Sequence, residues 1–275
     1  MSSIFIIQLI ISFFVGGGFV ALLTFLAEKS SSKVSGIILS FPSTALTGFF
    51  FLAWSQSPEE VAIVVPSSFI PIGISVLFPV FYAYIANFGV RLIKKRILLI
   101  MFALFFSVSI WLLLALPLAH HKISHILFGI TGYLVLISIG YFLLRQIKEN
   151  RLPKHSYSKW QIIGRAVFVG FLVALIVFLG EVINPFWGAV LAMFPGALSC
   201  SIIIIHWYYG HENLMSVFKK VPVGSLSTFF YAITVMLTFP YFGFIWGTFI
   251  AFFVSLVTSS ILSAVPLLNK SDYKL

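Results

Sequence analysis

The chain has 275 residues, of which 60% are hydrophobic, 17% aromatic and only 9% charged. Soluble domains carry roughly 25% Asp, Glu, Lys and Arg, so this composition excludes a water-soluble globular fold and predicts an all-α integral membrane protein with the lipid bilayer as its surroundings. The net charge of +10 is not read as a nucleic-acid surface, because its cations are spread between apolar stretches instead of forming one patch. A single cysteine, Cys200, excludes an intrachain disulfide and gives no zinc-ligand spacing. No cofactor is expected.

A bilayer core takes about 20 apolar residues per helix, so uncharged stretches are read as spans in chain order. The first runs from Ile4 to Ala27 and ends at Glu28-Lys29; the second follows Lys33 and reaches Trp54. Val61 to Val90 is the third, closed by Arg91, Lys94, Lys95 and Arg96. The fourth covers Ile97 to Leu118, His120-His121-Lys122 makes a turn, and the fifth covers Ile123 to Leu144. After the polar stretch from Arg145 to Lys159, a sixth span rises from Gln161 to Gly180-Glu181. Asn184-Pro185 turns the chain into a seventh, Phe186 to Tyr208. Val221 to Asn269 contains no charged residue and holds two more, with a break expected at Pro240-Tyr241-Phe242-Gly243. Met1-Ser2-Ser3 lacks the basic start of a cleavable signal, so the first span is expected to remain.

Cytoplasmic loops collect Lys and Arg. Nine helices with an outside N-terminus and a cytoplasmic C-terminus place all but Lys122 of the 17 basic residues, Arg165 included, on the inner side of a bacterial inner membrane.

An internal match appears at an offset of 153, the difference between 181 and 28. It pairs Gly17, Val20, Ala21, Phe25 and Glu28 with Gly170, Val173, Ala174, Phe178 and Glu181. It also pairs Phe41-Pro42 with Phe194-Pro195, Trp54 with Trp207 and Glu59 with Glu212. Five helices separate the two starts, and an odd number inverts the second copy. The expected layout is four plus one plus four: residues 1–119, a linker helix and loop over 120–160, and residues 161–275, in one membrane domain. This plan resembles inverted-repeat bacterial secondary transporters, and Leu-Ala-Glu with a mid-helix Phe-Pro is similar to uncharacterised inner-membrane families. The resemblance gives no substrate. The inverted repeat, broken helices and paired acids together lead to the expectation of a secondary transporter of a small solute or ion, working by alternating access with proton or cation coupling. No enzymatic activity is expected because no nucleophile and base occur together, and homo-oligomers are an open option. A divalent-cation transporter, a passive channel and a lipid-handling protein are the alternatives.

Three groups of residues carry chemistry in this pattern. Glu28 and Glu181 are the acids within the helical frame, and an ionisable residue at that depth suits a proton or cation site; the plainer alternative is contact with headgroups. Pro42 and Pro195 each remove a backbone hydrogen bond in mid-span, and the freed groups, with Ser40, Ser43, Thr44 and Ser199 beside them, are tolerated where they face protein or a wet cavity. A half-helix N-terminus there favours an anionic group, and freed carbonyls favour a cation. The third group is His120, His121 and His125 at one mouth and His206 and His211 at the other, which could ligate a metal or respond to pH.

Overall fold

The computed structural model describes residues 3–30, 41–148 and 156–264, and the side chain of Glu28 falls outside that description. Every regular element among them is helical, with no strand. Seven stretches are long and apolar enough to cross a bilayer, which makes the chain a multi-pass membrane protein. Its helices are α1 (Ser3–Lys29), α2 (Ser43–Ser55), α3 (Pro58–Val64), α4 (Phe69–Gly89), α5 (Arg96–His120), α6 (Ile126–Leu144), α7 (Lys159–Val182), α8 (Pro185–Leu191), α9 (Gly196–Tyr209), α10 (Leu214–Val217) and α11 (Val221–Ala264).

Local chemistry sets the boundaries. Ser57 accepts from the Glu60 N–H ahead of Pro58 at the start of α3, and Asn184 accepts from the Phe186 N–H ahead of Pro185 at the start of α8. Ser158 and Gln161 form a reciprocal capping box at the start of α7. The third expected span begins earlier than Val61 and is not one uniform helix, because Pro66 lies in a 3-10 turn, Val65–Ser68, between α3 and α4. The break expected between Pro240 and Gly243 falls at Gly243, whose φ of 67° only glycine adopts without strain. The two arms of α11, 221–242 and 244–264, fold back on one another. Ser227, Ser255 and Ser259 join them through buried hydroxyl bonds of 2.6 and 2.9 Å.

Where α1 crosses α7, the backbones touch. A Cβ on Gly17 would strike the Ala166 carbonyl, and one on Gly170 would strike the Phe13 carbonyl. Residue number falls along α7 as it rises along α1, so the helices are antiparallel. Aromatic rings fill the space between the other helices: Phe49, Phe69, Phe78, Tyr82, Trp111, Tyr133 and Phe239 are fully buried. Phe14, Phe105, Leu113, Trp246 and Phe253 face outward, as a hydrocarbon-facing surface requires.

Candidate functional site

The two Phe-Pro pairs interrupt their helices with the same backbone. Pro42 has φ −76° and ψ 58°, and Pro195 has φ −77° and ψ 55°. In each case the residue after proline donates back across it: Ser43 N–H to the Phe41 carbonyl at 2.8 Å, Gly196 N–H to the Phe194 carbonyl at 2.7 Å. This is an inverse γ-turn, the tightest reversal a backbone makes. The next bonds are Leu46 N–H to Pro42 and Ser199 N–H to Pro195, both 2.8 Å. Between them, the N–H groups of Thr44 and Ala45 in α2, and of Ala197 and Leu198 in α9, have no acceptor in their own helix. Neither helix start has a capping side chain.

Both breaks line one cavity of about 570 Å³, and all four of those residues lie in its wall. Ser43 and Thr44 are in its wall; Ser199 is buried but donates to the Pro195 carbonyl at 2.8 Å and is absent from the lining. Much of the remaining wall is apolar, including Ile72, Val76, Met193, Leu198 and Phe218. The cavity extends toward the end of the bundle that holds Tyr157 and Lys220.

Each phenylalanine before a proline is pinned. Phe41 meets Phe252 of α11 edge to face at 4.7 Å. Phe194 meets Trp111 at 5.1 Å and Phe78 at 6.4 Å. The Trp111 indole N–H donates to Ser75 at 2.8 Å, and the Ser75 hydroxyl donates to the freed Met193 carbonyl at 2.7 Å. A tryptophan and a serine from other helices thus satisfy a group that the proline leaves open.

Arg165 departs from its expected place. Counted above among the cations of the inner membrane face, it is only 5% exposed and lines the cavity. Among the described residues its Nε and Nη1 have no hydrogen-bond partner, and the Tyr157 ring centroid lies 5.2 Å from the guanidinium carbon. A residue beside a polar loop reads as an interfacial cation; nothing in its neighbours signals an inward-facing side chain.

The acids and histidines are distributed differently. Glu181 is exposed at the end of α7 and does not border the cavity; Ser40 and the Glu28 side chain lie outside the described residues. His120 and His121 are exposed neighbours whose rings lie 5.0 Å apart, and His125 accepts from the Phe128 N–H at the start of α6. Among the described residues no three His, Cys, Asp or Glu side chains gather as a metal cage. His206 is buried, and its Nδ1 is 2.8 Å from the Tyr82 hydroxyl. The His206 and His211 rings are 5.6 Å apart, and His211 lies 3.5 Å from the exposed Glu212. These four groups connect the exposed Glu212 to the buried Tyr82, and none of them is in the cavity wall.

Comparison of the chain with protein-family models, with curated proteins and with solved structures gives no match.

Proposed function

We propose that the protein is a secondary active transporter whose cargo, a small solute or ion, binds in the cavity between the two broken helices. The observation that carries this is the convergence of both Phe-Pro breaks, 153 residues apart, on one cavity with matching backbone angles. Transporters built from inverted repeats place their site at the repeat interface, between discontinuous helices. The antiparallel contact of Gly17 with Ala166 and of Gly170 with Phe13 supports the inversion, because exchanging the copies exchanges the two contacts. In the four-plus-one-plus-four layout the arms of α11 are the last two helices of the second copy, and α6 is the connector. Transport then requires one copy to rock against the other, opening the cavity to each side in turn. Proton coupling is supported by the line from Glu212 through His211 and His206 to Tyr82. No comparable arrangement favours a metal.

The test is accessibility. In a Cys200→Ser background, a cysteine at Ala197 is labelled with a membrane-impermeant maleimide in intact cells and in inverted vesicles. Alternating access predicts labelling from both faces, each suppressed when a crosslink holds the opposite face open. Labelling from one face under every condition would eliminate transport through this cavity. Simultaneous labelling from both would indicate a channel.

A further inference from the structure

We propose that the cargo is a small organic anion, an oxyanion head on an apolar body, with Arg165 and the starts of α2 and α9 receiving the head. This deepens the transporter reading and rests on it for the word cargo; the binding site itself does not depend on transport.

Three independent features meet in the cavity. The first is Arg165, a charged side chain more than nine-tenths buried that lines the cavity, whose Nε and Nη1 have no hydrogen-bond partner among the described residues. A buried charge without a counter-ion is destabilising, and among the described residues no carboxylate lies within ion-pair distance of it. The charged residues lining the cavity are Arg165 and Lys220, both cationic; no Asp or Glu is present in its described wall.

The second feature is direction. Gln8 near the start of α1 donates to the Trp54 carbonyl near the end of α2, so these helices are antiparallel. Gly196 at the start of α9 packs on Leu172, and Tyr208 at its end meets Gln161, so α9 is antiparallel to α7. Since α1 and α7 oppose each other, α2 and α9 also run in opposite directions, and both begin in the wall of the same cavity. Their positive ends converge on it. Each presents two N–H groups without an intrahelical acceptor, four in all, at Thr44, Ala45, Ala197 and Leu198. Helix starts of 13 and 14 residues carry this dipole fully.

The third feature is size and polarity. An inorganic oxyanion fills a small part of about 570 Å³, and the wall also offers the apolar side chains of Ile72, Val76, Ile205, Val217 and Phe218. An apolar body beside a single charged head satisfies both parts. Arg presents a planar fork that matches carboxylate oxygens.

The experiment uses purified full-length protein. Binding is read by thermal shift and tryptophan fluorescence, and flux by solid-supported-membrane electrophysiology on proteoliposomes. The probes are acetate, hexanoate and benzoate, with benzamide and benzamidinium as the neutral and cationic counterparts of benzoate. Hexanoate and benzoate are expected to bind saturably, acetate more weakly, and benzamide and benzamidinium at least about tenfold more weakly than benzoate. Arg165→Gln is expected to weaken benzoate about tenfold or more, with Arg165→Lys intermediate. Ala197→Pro, in the first turn where the replaced N–H has no intrahelical acceptor, is expected to weaken it severalfold. Comparable binding of benzamidinium and benzoate by the wild type, or no carboxylate binding at all, would overturn the proposal without any variant needing to fold. Saturable carboxylate binding with no flux would keep the anion site and remove the transporter. Flux of a neutral or cationic solute without carboxylate binding would do the opposite.

Discussion

The two Phe-Pro breaks share a backbone and differ in nearly everything attached to it. At the first, the polar residues Ser43 and Thr44 line the cavity, and the position on α1 matching Arg165 is Ser12, which donates to the Leu9 carbonyl of its own helix. At the second, Gly196 and Ala197 bring only backbone, and α7 supplies Arg165. The contrast continues outward: His206 in α9 corresponds to Ala53 in α2, and both are buried. Anchoring differs as well, with one aromatic partner for Phe41 and two for Phe194, plus the Trp111–Ser75–Met193 chain. A repeated backbone therefore carries an unrepeated charge distribution. The backbone geometry is held in common, while the buried cation Arg165 and most of the titratable groups, His206, His211 and Glu212, lie in the second half.

The largest test of the shared part is Gly17→Leu or Gly170→Leu. Either side chain would meet a carbonyl of the facing helix, and overpacking against backbone costs about 1–3 kcal/mol or more. Loss of the monodisperse folded protein on size-exclusion chromatography is expected for both, and tolerance of Gly17→Leu alone would show that the crossing is not symmetric. The next largest effect tests the unshared line. His206→Gln, in contact with Tyr82 on α4, facing His211 and Glu212 and close to Arg96 on α5, is expected to cut pH-driven uptake about tenfold or more while exchange without a pH gradient persists. Retention of full pH-driven uptake would remove proton coupling from this half. Third, Ser75→Ala leaves the Met193 carbonyl unsatisfied and should destabilise the protein by about 1–3 kcal/mol, whereas Phe252→Leu at the first break should cost less than about 1.5 kcal/mol. Thermal unfolding in detergent compares the two, and a reversed order would contradict the tighter clamping of the second break. Smallest is Glu181→Gln, exposed and outside the cavity wall, expected within about 0.5 kcal/mol of wild type in stability and unchanged in uptake. Abolished uptake would return the coupling role to the acid pair.

Much of this frame was legible in the sequence for simple physical reasons. Uncharged runs delimit spans because lipid excludes charge, proline marks the breaks because it cannot donate, and Gly243 lies within the expected four-residue break. The offset of 153 pointed to Pro42 and Pro195, which border the cavity together. What could not be read concerns direction. Arg165 and Glu181 both sit near the ends of α7, and linear sequence does not tell which turns inward; the buried one proved to be the cation. Trp111 and Ser75 were invisible for a related reason, since Ser75 donates to a backbone carbonyl 118 residues away and Trp111 donates to the Ser75 hydroxyl, 36 residues away on another helix. Nothing in the local pattern of α4 or α5 distinguishes them from packing residues.

The glycine crossing of α1 and α7 has a mechanical consequence. Where side chains interlock, any change of tilt must push atoms through one another or flip rotamers. At Gly17 and Gly170 the two helices meet main chain against main chain, while Phe5, Val20, Val169, Val173 and Val177 pack in a buried cluster around the crossing. The spacing of the two helices is therefore set by backbone contact, and a methyl group on either glycine would force them apart.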